Sequence, residues 1–173
     1  VLDEGGHHFL RSESENSASG LFRKTRREAS PDLFLSWKWR VRKFPEKKDP
    51  AAISSRSEDD FAARMYVIFL AANIFRSDVL EYIWDERLPV GTHADSPYSE
   101  RIKLVVLQSG PTAAGDAGWR QELRNVQEDY AAFFGKQPTN PIGILAIMSD
   151  SDSTRSSASA DFSDIALKIR ISK

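Results

Sequence analysis

Acidic side chains able to bind a metal ion are concentrated near the end of the chain, between Ser149 and Ile171. Asp150, Asp152 and Thr154 lie at alternate positions there, and two further Asp residues follow. Ionised carboxylates on a loop supply the hard oxygen ligands that Ca²⁺ requires. Asp and Ser residues also satisfy loop backbone groups through side-chain hydrogen bonds, and the stretch lacks the glycine of an EF-hand loop. We favour this structural interpretation and keep a structural Ca²⁺ as the alternative.

Other residue types that carry catalysis do not form a recognisable constellation. His7 and His8 are adjacent and would point to opposite faces of a strand, while His93 stands alone. The sequence has no cysteine, no nucleophile elbow, no P-loop and no dinucleotide-binding motif. Acidic residues at 58–60 and 81–86 could supply a general acid and base, but nothing fixes their separation. We therefore expect a non-catalytic protein and rank a polysaccharide hydrolase or lyase last.

Arg64 is unusual because it interrupts the largely apolar segment FAARMYVIFLA. A charged side chain in such a strand needs a carboxylate partner or a position at the strand edge. Asp60 and Asp85 are the partners that the sequence suggests. We favour a buried ion pair, and the alternative is an anchor for an anionic ligand.

The aromatic residues divide into two groups. Trp37 and Trp39 share a strand face with leucines and are predicted to lie in the core. Trp84, Tyr98 and Trp119 are predicted to lie at strand ends or beside loops, where aromatic rings can stack on the apolar faces of sugars. We therefore treat these three residues as candidate ligand-binding positions.

The opposite face of the same strand is basic. Lys38, Arg40 and Arg42 alternate with the apolar residues and are predicted to point towards solvent. A solvated strand face often has this composition. The more specific hypothesis is a docking surface for an acidic protein or for anionic lipid headgroups.

Alternation of apolar and polar residues predicts a mainly β protein. Every second residue is apolar from Leu33 to Val41 and again from Ile165 to Ile171, while FAARMYVIFLA is apolar on both faces, as in a central strand. One helix is predicted near residues 119–134, with Gly135 as its C-cap. About eight antiparallel strands and one helix are typical of a β-sandwich or jelly roll.

The same patterns predict how the chain is organised. Residues 1–173 are expected to form a single β-sandwich domain, whose first 16 residues or so pack loosely. Two short strands are predicted around His8–Leu10 and Gly20–Phe22. The segments 46–60 and 88–100 are predicted to be long loops, because they are rich in charge, proline or glycine.

Composition sets further limits. The formal net charge is −1, which gives no overall attraction for nucleic acid. No uninterrupted apolar run approaches the length of a membrane-spanning helix. The sequence begins at Val1, which suggests removal of a signal peptide or an incomplete chain, and we expect export to the periplasm or beyond.

Several blocks of the sequence resemble a bacterial family known as domain of unknown function 3047. They occur in the order found in that family and span about residues 17–171; they are LSWKWRV, DDFAARMYVIF, EYIWDERLPVGT, SPYSERIKLVVLQSG, QEDYAAFFG and AIMSDSDSTRSSASADFSDI.

The resemblance implies an extracytoplasmic protein, and the final block is also similar to the last strands of jelly-roll carbohydrate-binding modules. That similarity makes Asp164 a candidate ligand for a structural Ca²⁺, with Glu13 or Glu15 as its partner. We expect an accessory or scaffolding module that docks on a larger protein assembly, including one associated with a membrane. The close alternative is a module that binds a glycan.

Overall fold

The computed structural model describes residues 1–49, 53–112 and 118–170. These residues form eleven strands, one α-helix and two short 3-10 turns, at Arg56–Glu58 and Ile74–Arg76. The strands are β1 (Leu2–Glu4), β2 (His7–Glu15), β3 (Ala18–Arg27), β4 (Leu33–Lys43), β5 (Ala63–Phe69), β6 (Asp78–Asp85), β7 (His93–Ser96), β8 (Ser99–Ser109), β9 (Arg120–Asn125), β10 (Ile142–Asp150) and β11 (Ser157–Ile169), and the helix is α1 (Val126–Phe134).

The strands form two sheets that face each other. The five-stranded sheet has the order β1-β2-β11-β4-β9, and the six-stranded sheet has the order β3-β10-β5-β6-β8-β7. Strands β2 and β3 are consecutive in the chain but belong to different sheets. The chain crosses between them at Asn16, whose φ of 43° is left-handed. The mainly β, sandwich-like fold confirms the prediction.

The main core lies between the sheets. The alternation in β4 places Leu35, Trp37 and Trp39 inward, each fully buried. Trp37 stacks on Tyr82 of the other sheet with ring centroids 5.5 Å apart, and Trp39 meets Trp84 edge-on at 5.7 Å. Burying a large side chain of this kind stabilises a fold by roughly 2–3 kcal/mol. The prediction that Trp37 and Trp39 are core residues is confirmed.

A smaller apolar cluster lies on the outer face of the six-stranded sheet. It contains Phe61, Ile83, Leu88, Leu104 and Val106. Phe61 precedes β5 in the chain, and its backbone N–H donates to Asp150 of β10 over 2.9 Å. The cluster covers Ile83 on the outer face of β6, while Tyr66 and Ile68 on the outer face of β5 are half-buried.

The structure differs from the predicted strands in three ways. It has eleven strands in its described part rather than about eight, and the β6–β8 pair is parallel although all pairs were expected to be antiparallel. The helix begins at Val126, not near residue 119, because residues 120–125 pair with β4 as an edge strand. The predicted loop at 88–100 contains β7 and the first residues of β8.

Two strands, β1 and β2, lie within the first sixteen residues. Strand β2 pairs with β11 from Leu10–Phe162 to Glu15–Ser157, and Phe9 is only 3% exposed. Strand β1 adds a short edge to the same sheet. The predicted short strands around His8 and Gly20 lie within the longer β2 and β3.

A bulge divides β11 into two halves. The pairing with β4 shifts between Ser163 and Ala166, and Asp164 within the bulge has a left-handed φ of 54°. The bulge changes which residues face the core: Phe162 points inward before it, and Ile165 and Leu167 face the core after it. Ile169 was also predicted to point inward but is 70% exposed, and Ile171 lies outside the described residues.

In the described residues no helix has the length and apolar character needed to cross a bilayer.

Candidate functional site

A cleft of about 570 Å³ separates the two sheets along strand β3. We call it the β3 cleft. One wall comes from β3, β10 and Met65 of the six-stranded sheet, and the other from β2 and β11. Most of its lining is apolar, and the main contributors are Leu10, Leu21, Phe22, Leu145, Ile147, Ile165 and Leu167.

The cleft is open because the core is incomplete on this side. Strand β3 is an edge strand, and nine of its ten residues are exposed. Leu21 is 58% exposed and Phe22 is 62% exposed, whereas Ile147 of the neighbouring β10 is 6% exposed. Large apolar side chains that line a solvent-accessible cleft typically mark a binding surface.

Basic side chains line the apolar cleft. Arg23, Lys24 and Arg27 belong to its lining and are exposed. Arg23 lies opposite Leu145 of β10 and Arg27 lies opposite Ile142, so the charges follow the apolar wall. None of the three has an acidic partner in the part of the chain that the structure describes. The cleft therefore combines apolar area with uncompensated positive charge.

The predicted docking face is organised differently. Lys38, Arg40 and Arg42 share the outer face of β4, as their alternation indicated, but each of them contacts a carboxylate. Lys38 Nζ lies 2.8 Å from Asp164, and Arg40 Nε and Arg42 Nε donate to Asp161 over 2.7 and 2.6 Å. Arg40 is 5% exposed, so this residue is not on a solvated surface, contrary to expectation.

The charges on this face neutralise one another. Asp161 is fully buried and also accepts from Arg11 Nε over 2.8 Å. Burial disfavours its ionised form, but the hydrogen bonds from Arg11, Arg42 and Arg40 outweigh that effect and hold the pKa of Asp161 below its usual range. Glu4 of β1 binds the same two arginines of β4 over 2.8 and 3.0 Å.

Arg64 is buried in an ionic cluster on the outer face of the six-stranded sheet. It is 2% exposed and donates to Asp150 of β10 and to Glu81 of β6. The prediction of a buried, paired arginine matches this position, but the predicted partners differ. Asp60 instead accepts from Thr154 N over 2.6 Å, and Asp85 accepts from Lys47 Nζ over 2.8 Å.

Asp59 is the least satisfied member of this cluster. Its Oδ1 is buried without a hydrogen bond and lies 3.6 Å from Arg64 Nη1. Burial raises the pKa of Asp59 to about 7, since Arg64 offsets the loss of hydration only in part and Glu81 and Asp150 add repulsion. Asp59 therefore changes charge close to neutral pH.

The three aromatic residues predicted to bind a ligand lie in different places. Trp84 is 2% exposed in the core, and its Nε1–H donates to the carbonyl of Gly110 over 2.9 Å, so it is not an accessible strand-end residue. Tyr98 is 57% exposed, with Arg56 over its ring at 5.1 Å. Trp119 is half-buried on the outer face of the five-stranded sheet, with Arg40 over its ring at 4.5 Å. They do not form one platform.

The predicted calcium ligands are not brought together. Asp164 contacts Lys38, while Glu13 pairs in register with Ser159, five residues earlier in β11, which corresponds to roughly 16 Å of strand. Among the described residues, the carboxylate oxygens that do converge belong to Asp60, Asp150 and Asp152, within 4.8 Å of one another. Thr154 already donates to Asp60 and Arg64 to Asp150, so groups of the protein itself occupy oxygen atoms of both carboxylates.

A contact between His7 and Ser163 is the closest approach to a catalytic pair. His7 Nε2 lies 3.1 Å from Ser163 Oγ and 3.8 Å from Asp164 Oδ2. Both neighbours use the same ring nitrogen, whereas a base that activates a hydroxyl needs its second nitrogen oriented by the carboxylate. This geometry suits a structural hydrogen bond.

The residues of the β3 cleft were not selected from the sequence. A signal was present, because the apolar pair Leu21-Phe22 runs directly into the basic run from Arg23 to Arg27. Alternation in β3 is too weak to show which of these side chains face the opposite sheet. Only the register with β10 and the crossing of the chain at Asn16 place them over β2 and β11.

The fold and the cleft define a two-sheet protein with an apolar, positively edged opening between its layers. The chain belongs to the family described as "Protein of unknown function (DUF3047)", whose model matches residues 1–166. This confirms the resemblance seen in the sequence. A search against curated proteins finds no match.

Proposed function

We propose that the protein is a non-catalytic binding module that holds an amphipathic, negatively charged ligand in the β3 cleft. The observation that carries the proposal is the combination of an apolar inter-sheet cleft with three exposed cations that have no acidic partner in the described chain. The simplest ligand of this class is an acyl chain that ends in a carboxylate or phosphate.

The size of the cleft fits such a ligand. A volume of about 570 Å³ lies within the roughly 300–1,000 Å³ range of small-molecule sites. Each methylene group transferred from water to an apolar wall contributes about 0.8 kcal/mol. Leu10, Leu145 and Leu167 provide such walls on both sheets, so a chain of several methylenes would gain enough to offset its loss of freedom.

Charge determines which amphiphiles should bind. Arg23 and Arg27 can donate several N–H groups to a carboxylate or phosphate at the mouth of the cleft. No carboxylate of the described chain contacts Arg23 or Arg27, so an incoming anion has no internal competitor to displace. A cationic amphiphile with the same tail would be repelled.

An accessory role in a larger extracytoplasmic assembly remains compatible with this proposal. A protein partner could present the ligand as a lipid-modified or acidic, apolar segment, and the unpaired edge of β3 could extend the contact. The Lys38–Arg40–Arg42 face gives less support for docking, because its charges are internally paired. Glycan stacking also has less support, because Trp84 is buried and the three candidate aromatic residues do not form one platform.

Displacement of a fluorescent probe tests the proposal. The probe 1-anilinonaphthalene-8-sulfonate is bound first, and dodecanoate, dodecyl phosphate, dodecanol and dodecyltrimethylammonium are then titrated. We expect the two anions to displace it most effectively. The double change Arg23→Gln with Arg27→Gln should weaken dodecanoate binding about tenfold and leave dodecanol nearly unchanged.

Arg26 provides a matched control. It is an exposed arginine of the same strand that does not line the cleft, so Arg26→Gln should leave the affinity for dodecanoate unchanged. Leu145→Glu, which places a negative charge in the apolar wall, should weaken binding of dodecanoate, dodecyl phosphate and dodecanol. Equal binding of anionic and cationic amphiphiles, or full dodecanoate affinity in both cleft variants, would contradict the proposal.

A further inference from the structure

The loop between β5 and β6 presents two large apolar side chains to solvent. The 3-10 turn Ile74–Arg76 forms its tip, where Phe75 is 88% exposed and Ile74 is 52% exposed. Among the large apolar residues of the described chain, only the first residue, Val1, is as exposed as Phe75. Neither side chain belongs to the core or to the β3 cleft.

The loop is held in this shape by its own hydrogen bonds. Asn73 Oδ1 accepts from the backbone N–H of Phe75 over 3.0 Å, and Ser77 N–H donates to the carbonyl of Ile74 over 3.0 Å. Ser77 Oγ accepts from Ala71 N–H over 3.1 Å and closes the base of the loop. The exposure of Phe75 is therefore a property of a fixed turn, which costs little ordering on binding.

Positive charge surrounds the same end of the molecule. The loop leaves β5 after Phe69 and enters β6 at Asp78. These two residues pair with each other and lie in one row across the sheet with Ile142 of β10 and Arg27 of β3. Arg26 and Arg27 lie at one side of this row, and Arg76 lies on the loop itself; all three are exposed. On the other side, Arg101 Nη1 lies 2.7 Å from Asp78 and Lys136 Nζ lies 3.4 Å from it.

The acidic groups at this end are fewer than the basic ones. Asp78 is buried and is shared between Arg101 and Lys136, and Glu28 and Glu100 are exposed next to Arg27 and Arg101 in the chain. Among the described residues named at this end, three carboxylates stand against five cations, which leaves a local excess of positive charge around the two apolar side chains.

We propose that this end of the sandwich docks on an anionic lipid bilayer, with Phe75 and Ile74 inserted among the headgroups and the surrounding arginines on the surface. Apolar residues beside basic ones form the usual combination at a membrane interface. Two side chains on one turn offer far less area than the roughly 800 Å² per partner of a stable protein complex. They suffice for a bilayer, because lipids close around them and the basic residues add attraction.

Vesicle sedimentation tests this inference with the full chain. Vesicles of phosphatidylcholine alone are compared with vesicles that also contain phosphatidylglycerol, at low and at high salt. We expect binding to the mixed vesicles that weakens as salt is added. Phe75→Ser and Ile74→Ser should each lower the affinity about tenfold, and Arg76→Gln should lower it severalfold.

Control variants separate this surface from the rest of the molecule. Val90 is 62% exposed but lies away from the loop. The backbone N–H of the adjacent Gly91 donates to Val106, and Val106 pairs with Ile83, five residues along β6 from Asp78. Val90→Ser should therefore leave vesicle binding unchanged. The thermal melting of each variant is measured in parallel to confirm that it is folded. We expect all of them to fold, because the substituted side chains are exposed.

Three results would overturn the inference. The first is no binding to mixed vesicles, and the second is equal binding of wild type and Phe75→Ser to them. The third is that Phe75→Ser still binds vesicles but no longer captures a protein partner that wild type captures from cell extracts. The last result would assign the loop to a protein interface. Dodecanoate binding by the β3 cleft is unaffected by these variants, so failure of one proposal does not decide the other.

Discussion

Asp161 neutralises guanidinium groups from two different strands, and this arrangement makes a single carboxylate important for stability. Arg11 of β2 and Arg40 and Arg42 of β4 all donate to it, and Arg40 has almost no contact with solvent. Removing one partner of a buried ion pair leaves a charge that neither water nor protein compensates. The outer face of the five-stranded sheet therefore depends on Asp161 as an internal counter-ion.

Asp161→Asn should destabilise the protein by on the order of 3 kcal/mol, measured by urea unfolding at pH 7. Arg42→Gln should cost less than about 1 kcal/mol, because the Arg42 side chain is 37% exposed and Arg11 and Arg40 still hold the carboxylate. Equal costs for the two variants would show that Asp161 does not act as the shared counter-ion. A charge reversal at Arg40 is expected to unfold the sheet, so it is unsuitable as a test of docking.

At the scale of secondary-structure elements, the boundary between β9 and α1 is set by Asn125. Its Oδ1 accepts from the backbone N–H groups of Gln127 and Glu128 over 3.1 and 3.2 Å, and its Nδ2 donates to the carbonyl of Pro31 over 2.7 Å. The residue thus ends the strand, caps the helix and ties both to the start of β4. Its 6% exposure makes these hydrogen bonds hard for water to replace.

Asn125→Ala should lower the free energy of unfolding by about 2 kcal/mol, since the helix loses its cap and a buried carbonyl loses its donor. Asn125→Asp keeps the cap acceptor but loses the donor to Pro31, so its cost should be intermediate. Urea unfolding of the three proteins gives the comparison. An Asp variant as unstable as the Ala variant would mean that the cap contributes nothing.

The elements also show how far sequence periodicity extends. Alternation identified β4 and its inward tryptophans, because packing in a two-layer fold imposes that period directly. Spacings of three and four from Trp119 onward suggested a helix, but Leu123 is 53% exposed in an edge strand. Asn125 followed three residues later by Glu128 is a helix-start signal that would have given the correct boundary.

Features that depend on distant pairing could not be predicted. Arg64 was expected to be buried and paired, but its partner Asp150 is 86 residues away and meets it only through the β5–β10 register. The bulge at Asp164 changes which alternate residues of β11 face the core, and no glycine in the sequence marks its position. The β3 cleft arises from the distance between two sheets, which no local pattern encodes.

At the scale of the whole molecule, two groups of carboxylates shift stability in opposite directions with pH. Hydrogen bonds to basic groups outweigh burial and lower the pKa of Asp161, and Tyr130 and Arg101 do the same for Asp78. Groups with a lowered pKa stabilise the fold above about pH 4, and this contribution is lost as the pH falls through their folded values. Burial raises the pKa of Asp150 and raises that of Asp59 to about 7.

The raised values have the opposite consequence. A carboxyl whose folded pKa lies above its unfolded value binds its proton more tightly in the folded state, so stability falls as the pH rises from about 4 to about 7. The free energy of unfolding should therefore be greatest near pH 4–5 and decline towards neutral pH. This profile follows from the ionic cluster around Arg64 rather than from the net charge of −1.

Asp59→Asn isolates the upper part of this profile. The free energy of unfolding of the variant should exceed that of wild type by about 2 kcal/mol at pH 8. This is less than the full difference that corresponds to a pKa raised from 3.8 to about 7. The difference should shrink towards pH 5. Subtracting the two urea-unfolding profiles cancels the contributions of groups that do not interact with Asp59. Asp32→Asn removes an exposed carboxyl and should follow the wild-type profile throughout. Parallel profiles for wild type and Asp59→Asn would contradict this prediction. They would mean that Asp59 is ionised at neutral pH, is stabilised by Arg64 and adds nothing to the pH dependence of the free energy of unfolding.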